Sequence, residues 1–235
     1  MSEYRVLDLF CGLGGFSQAF EQSGRWDVTT VDIEARFEPD HVADVFELRP
    51  SDFDGEFDVV LASTPCSQFS TAGNHDGWDF ESHEPQTDAA REAVALVYHA
   101  LGLIRGLSPR YWFLENPQGR LRWFLGRPTG EVTYCQYGRP YMKRTDLWGQ
   151  HPPMTYHSCS RGQPCHNRLQ PHEGSSETMP DIRDTSTLTA GHNKVLPSTV
   201  NDLRTPGGRR KRLQKPLILS RIITVDRPIE EGIRG

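Results

Sequence analysis

Residues Arg5 to Phe10 alternate into an apolar run, meet the turn Cys11-Gly12-Leu13-Gly14-Gly15, and give way to Phe16-Ser17-Gln18-Ala19-Phe20, whose apolar spacing is helical. Strand, glycine turn and helix in that order constrain the fold strongly, because a strand that runs into a helix returns as a parallel neighbour through a crossover. Asp27 to Val31 reads as a second strand ending on Asp32-Ile33-Glu34, His41 to Val45 as a short third, and Phe57 to Ala62 as a fourth. Ala93, Leu96, Val97, Ala100, Leu103, Ile104 and Leu107 recur at three- and four-residue steps behind Thr87 or Asp88 as cap, which predicts an amphipathic helix from Asp88. Tyr111-Trp112-Phe113-Leu114 predicts a buried strand ending at Glu115-Asn116-Pro117. Val132 to Tyr137 predicts a further strand, with Tyr141 to Trp148 as its return partner. The expected fold class is α/β: a doubly wound, mostly parallel, Rossmann-like sheet with helices between strands.

A chain of 235 residues has room for one such domain of about 150 residues and a small added lobe. After Trp148 the character changes, and His151 to Asp184 is rich in Pro, Ser, His and Gly with little periodicity. The expected division is a main domain over 1–148, a small irregular region over 149–206, and a final basic segment with a strand or tail over 207–235. That last part holds Arg209-Arg210-Lys211-Arg212, Lys215 and the apolar run Leu217 to Val225. The net charge of −5 argues against a chain that coats nucleic acid over its whole surface, and leaves room for a local basic face. Five cysteines at irregular spacing do not form a disulfide framework, so a reducing, cytoplasmic setting is expected. No stretch reads as a signal peptide or a membrane span.

Three features carry chemistry. Gly12, Gly14 and Gly15 allow a ligand to approach the backbone, while the following helix offers unpaired N–H groups. Ser17 stands where a dinucleotide fingerprint wants a third glycine, and no Gly-Lys-Ser/Thr follows, which argues against NAD and against ATP phosphates. Asp8 precedes the turn, and Asp32, about twenty residues on, ends the second strand where an acid suits a ribose hydroxyl pair. The second feature is Cys66, in Ser63-Thr64-Pro65-Cys66-Ser67-Gln68-Phe69-Ser70, which a strand delivers to the same carboxyl edge of the sheet. The third is Glu115, a carboxyl group at the end of an aromatic strand; an apolar wall disfavours its charged form and suits a proton donor. Pro117 holds Asn116 extended. The polar stretch Ser67 to Pro85 has the length of a functional lid.

In order and spacing, Asp8-Leu9-Phe10-Cys11-Gly12-Leu13-Gly14-Gly15, Pro65-Cys66-Ser67-Gln68-Phe69-Ser70, Glu115-Asn116-Pro117 and Tyr137-Gly138-Arg139-Pro140-Tyr141-Met142-Lys143-Arg144-Thr145 resemble the DNA (cytosine-5)-methyltransferases, in the style of compact phage or viral members. The resemblance covers roughly the first 148 residues. It implies a methyltransferase-type sheet and a catalytic, cofactor-binding domain there. S-adenosylmethionine would lie over Phe10, Gly12, Gly14 and Gly15, with Asp32 on the ribose, Asp44 near the adenine amine, and Asp8 and Pro65 completing the cofactor set. Cys66 would attack C6 of a cytosine flipped out of double-stranded DNA, Glu115 would act at N3, and Lys143 would reach O2. Ser67, Gln68, Phe69, Ser70, Asn116 and Thr145 would contact the substrate. The chain is expected to act as a monomer, with a restriction endonuclease as an open partner. An RNA cytosine methyltransferase and a catalytically silent DNA-binding relative are the alternative readings.

Three departures from the family pattern stand out. The usual Gln-x-Arg-x-Arg is Tyr141, Lys143 and Thr145 here, so the forked arginine geometry is lost. Glu-Asn-Val is Glu-Asn-Pro, which keeps the acid. The closing Gly-Asn-Ser-Val-type helix has no visible counterpart, and Leu217 to Val225 is its candidate substitute. Region 149–206 would be the target reader, with Thr185 to Gly191 resembling a bordering segment and Arg161, Arg168, His192, Asn193 and Lys194 available for phosphates or base edges. His157, Cys159, Cys165, His166 and His172 cluster, but match no standard finger; ordinary loop residues and no metal are the preferred reading.

Overall fold

The computed structural model describes residues 4–71, 76–137, 139, 141–160 and 165. Seven strands form one mixed sheet among these residues: β1 (Tyr4–Leu9), β2 (Trp26–Asp32), β3 (His41–Val42), β4 (Val59–Ser63), β5 (Tyr111–Pro117), β6 (Gly130–Thr133) and β7 (Arg144–Gln150). Their spatial order is β3-β2-β1-β4-β5-β7-β6. The first five are parallel neighbours, whereas β7 runs antiparallel to both β5 and β6. The expected mostly parallel sheet is present, and its strand order reverses between β1 and β4. Open α/β sheets bind ligands beyond the carboxyl ends of the strands at such a reversal.

Period-two alternation explains why both faces are buried. On β1, Leu7 and Leu9 face one apolar cluster while Tyr4 and Val6 face the other; on β4, Val60 and Ala62 oppose Val59 and Leu61 in the same way. Helix α1 (Gln18–Ser23) covers the second face with Phe20. Helix α2 (Asp88–Leu107) covers the first with Ala90, Val97, Ala100, Leu103 and Ile104. Of the two cap candidates, Thr87 holds the position, accepting a hydrogen bond from the Ala90 amide, and Ser108 closes the helix in the left-handed region.

The crossovers differ from expectation. β2 reaches β3, and β3 reaches β4, through single 3-10 turns at Ala35–Phe37, Val45–Glu47 and Pro50–Asp52 rather than through helices. The physical reason is length and composition: these segments are short, acidic and broken by Pro39, Pro50 and Gly55, so none sustains an apolar helical face. The third strand is accordingly only two residues long, and the predicted His41 to Val45 run ends at the start of the Val45–Glu47 turn. The run predicted from Val132 divides likewise into β6 and a 3-10 turn, Tyr134–Tyr137. A short helix α3 (Arg122–Leu125) links β5 to β6. Thr185 to Gly191, the basic run and Leu217 to Val225 lie outside the described residues, as do Arg161, Arg168, His166, His172, His192, Asn193 and Lys194. Among the described residues, no helix is long and apolar enough to cross a membrane.

Candidate active site

The glycine turn leaves β1 at the strand-order reversal and is held by β2. The Asp32 carboxylate accepts hydrogen bonds from the Gly12 amide at 2.8 Å and from the Glu34 amide at 2.9 Å, and the Cys11 amide donates to the Val31 carbonyl. Phe10 and Gly12 both have left-handed backbone, at φ 60° and 51°. That conformation is strained for phenylalanine and typical of functional turns. A Cβ at Gly12 would meet no atom within 4 Å, so the space above the turn is open. Each Asp32 oxygen keeps a second lone pair for a ligand hydroxyl, and the neighbouring Ile33 is 63% exposed, offering an apolar face beside the acid. A carboxylate with free lone pairs, an open backbone turn and an exposed apolar side chain suit a ligand that has a hydroxyl pair next to an apolar or aromatic part. Ile33 has no sequence signal of its own beyond following Asp32.

Two acids of the expected cofactor set also have structural surroundings of their own. The Asp44 carboxylate accepts from the Phe46 amide at 2.9 Å and caps the turn that follows β3. Asp8 is fully buried and belongs to the Tyr4–Val6 face of β1, under the turn; burial pushes its carboxyl up to about 7, against the opposing effect of neighbouring Ser17.

Cys66 follows β4 by three residues and is half-buried. Its carbonyl accepts from the amides of Phe69 and Ser70, folding the segment into a tight turn. Phe69 is fully buried against Trp78 and Phe124, so its side chain anchors the loop. Trp78 donates its indole N–H to the Gln68 carbonyl at 2.8 Å. Arg120 donates its backbone amide to the Phe69 carbonyl and its guanidinium to that of Ser70. Gly119 permits this approach, because a Cβ there would sit 2.2 Å from the Phe69 oxygen. Asn116, also buried, donates its side-chain amide to the Thr64 carbonyl and hydroxyl, tying the strand that carries Glu115 to the loop that carries Cys66. The stretch expected to be a lid is anchored at Phe69 and Trp78; Ser67, Gln68 and Ser70 lie partly exposed along it, beside Pro65.

Glu115 ends up in register with Ser63 of β4 and Leu147 of β7, almost wholly buried. Thr145 lies opposite Pro117, also buried. Lys143, just before β7, has its ammonium 4.9 Å from the centre of the Tyr134 ring. Burial acts to lower its pKa, but Tyr134, Glu115 and Cys66 together outweigh burial and hold it above the ordinary lysine value. The same enclosure pushes the Tyr134 hydroxyl up to about 12, burial being the main cause and Lys143 opposing it. Cysteine, carboxyl group and ammonium from three separate segments therefore share one electrostatic neighbourhood. Tyr134, the floor of that neighbourhood, reads in sequence only as another strand aromatic. A cation beside a thiol and a carboxyl group favours an anionic nucleophile and fixes where a planar polar ring can dock.

The family model described as C-5 cytosine-specific DNA methylase matches residues 4–122. A "Probable DNA (cytosine-5)-methyltransferase" of Frog virus 3 is 32% identical over 174 residues, covering 69% of this chain and 78% of its own length. The type II methyltransferase M.HaeII of Haemophilus aegyptius is 29% identical over 124 residues, covering 49% of this chain and 35% of that protein, so the chain spans about a third of this bacterial relative. The crystal structure of a candidate DNA modification methyltransferase encoded within an E. coli prophage aligns with TM-score 0.44 and 20% identity, over 62% of this chain and 46% of that one. With a family match over half its length and a viral relative at this identity, the chain belongs to the C-5 cytosine-specific DNA methylases.

Proposed function

We propose that the chain methylates C5 of cytosine in double-stranded DNA, using S-adenosylmethionine at the glycine turn and Cys66 as the nucleophile. The observation that supports this most directly is that Ser63 of β4 pairs with Glu115 of β5, so the Cys66 turn and the Glu115 carboxyl leave the same edge of the sheet, with Lys143 just before β7, the other neighbour of β5. Once the target base leaves the duplex stack, its C6 can be reached by the Cys66 thiolate. As the sulfur–carbon bond forms, Glu115 donates a proton or hydrogen bond at N3, and the displaced electron pair makes C5 nucleophilic. Lys143 donates to the O2 oxygen, which gains negative charge in the same step. S-adenosylmethionine held over Phe10 and Gly12 would supply the methyl group to C5 and leave as its neutral thioether. Glu115 takes back any proton given to N3, a solvent water accepts the C5 proton, and the C–H electron pair reforms the C5–C6 double bond and expels the Cys66 thiolate. Asn116, Arg120 and Trp78 take no part in bond making; they hold the thiol in place.

Labelled methyl transfer to DNA, measured for the wild type and Cys66→Ala, tests the proposal. Loss of transfer in the variant, together with a covalent wild-type complex on 5-fluorocytosine DNA, is expected. Full activity of Cys66→Ala would overturn the nucleophile assignment. Parallel incubation with RNA separates an RNA-modifying enzyme, and cofactor binding without a trapped complex would identify a silent relative.

A further inference from the structure

Cys135, Cys159 and Cys165 are 24 and 6 residues apart in sequence, yet their sulfurs all lie within 4.8 Å of one another. Cys135 and Cys159 are separated by 3.0 Å and Cys135 and Cys165 by 3.6 Å, and none of the chain's cysteines is in a disulfide. Two of the three are buried and the third is half-buried. Cys135 belongs to the 3-10 turn after β6, within the main domain. Cys159 belongs to the segment that leaves β7, and two backbone hydrogen bonds bring it there: the Thr133 amide to the His157 carbonyl at 3.1 Å, and the Cys159 amide to the Thr133 hydroxyl at 3.0 Å. The Tyr137 hydroxyl accepts a third, from the His157 amide.

We propose that these three cysteines bind one structural zinc ion, which staples the segment following β7 to the turn that carries Tyr134. A tetrahedral zinc thiolate site with metal–sulfur bonds of about 2.3 Å places its sulfurs about 3.8 Å apart, within the range seen here. Soft thiolates at a shielded site select zinc over hard cations, and three of them leave one position for water or another side chain. Of the expected histidine-rich cluster, only Cys159 and Cys165 belong to this site among the described residues; the His157 ring lies 6.0 Å from that of Tyr137 instead. Cys135, from the main domain, was not part of that expectation because it lies 22 residues before His157 and becomes a neighbour only through the β6–β7 return. A bound dication favours the thiolate form of its ligands and releases their protons.

The staple also reaches the reaction site. Tyr134, on whose ring the Lys143 ammonium rests, is the residue before Cys135. Metal analysis of the full chain purified under reducing conditions tests the proposal. About one zinc per chain is expected, falling roughly tenfold in Cys135→Ser and Cys159→Ser but not in Cys66→Ser. Because a serine variant can fail to fold, cobalt replacement in the wild type provides an independent readout: thiolate-to-cobalt charge transfer and the visible bands of a tetrahedral ion are expected. Less than about a tenth of a zinc per wild-type chain, a cobalt spectrum without thiolate bands, a Cys135–Cys159 disulfide in peptides from non-reduced protein, or full zinc retention in both serine variants would each overturn it.

Discussion

Lys143 stands where an arginine fork is the family habit, and its surroundings show how a single ammonium fills the place. Tyr134 provides an aromatic face, while Glu115 and Cys66 keep the charge on. Lys143→Met should lower kcat by about 100-fold, the usual loss for one charge-stabilising donor, with cofactor affinity unchanged in a binding titration. Glu115→Gln should cost a similar 100- to 1000-fold in kcat, because an amide neither protonates N3 nor carries the right charge. Asp8 supports a different kind of prediction. Its carboxyl is neutral in the folded chain up to about pH 7 but ionises near 3.8 when unfolded. Between those values the folded state binds the extra proton, so stability falls as pH rises, and above 7 the full penalty is present. Asp8→Asn should therefore melt higher than the wild type at pH 8, with the gap shrinking by pH 5, as read by thermal denaturation. Cys66, Glu115 and the glycine turn were legible in sequence because each ends an apolar run. The anchoring of Phe69 and the tie from Asn116 to Thr64 were not legible, because they depend on Trp78, Phe124 and Thr64, which are distant in sequence.

At the scale of elements, two devices hold the site's rim. One is the aromatic anchor under the Cys66 turn. Trp78→Ala should destabilise the fold by about 3–5 kcal/mol in denaturant titration, and at temperatures where the variant is folded it should lower kcat more than cofactor affinity, because the loop rather than the glycine turn loses its support. The other device is on β7, where buried Asp146 accepts two hydrogen bonds of 2.6 Å from the Arg122 guanidinium of α3, which also meets Glu131 of β6. Arg122→Ala strands a buried carboxylate and should cost about 3 kcal/mol, whereas the double replacement Arg122→Met with Asp146→Leu should recover part of that loss. Among elements, α2 was the most legible, since seven apolar positions repeat over its length. The 3-10 crossovers were not: apolar periodicity marks where a helix can bury a face, and says little about segments too short to have one.

Over the described residues, the molecule is a mostly parallel sheet whose order reverses between β1 and β4, with an antiparallel return of β6 and β7 on the Glu115 side. The sheet and its reversal follow from alternating strands and glycine-rich turns, which the sequence displays. The β6–β7 return pair follows from two neighbouring apolar runs, whereas the place of β7 between β5 and β6 comes from a pairing with β5 that no local pattern encodes. S-adenosylmethionine at 100 times its dissociation constant should add about 2.7 kcal/mol of stability and raise the melting temperature by a few degrees.

That reversal has a kinetic consequence. β1 must find β4 across more than fifty residues, Val6 pairing with Val59, before the glycine turn and the Cys66 loop stand side by side. Such long-range closure is slow and comes after local helix formation. Cofactor affinity should therefore appear late in refolding, in step with the slowest fluorescence phase, which makes ligand capture a direct clock for completion of the central sheet.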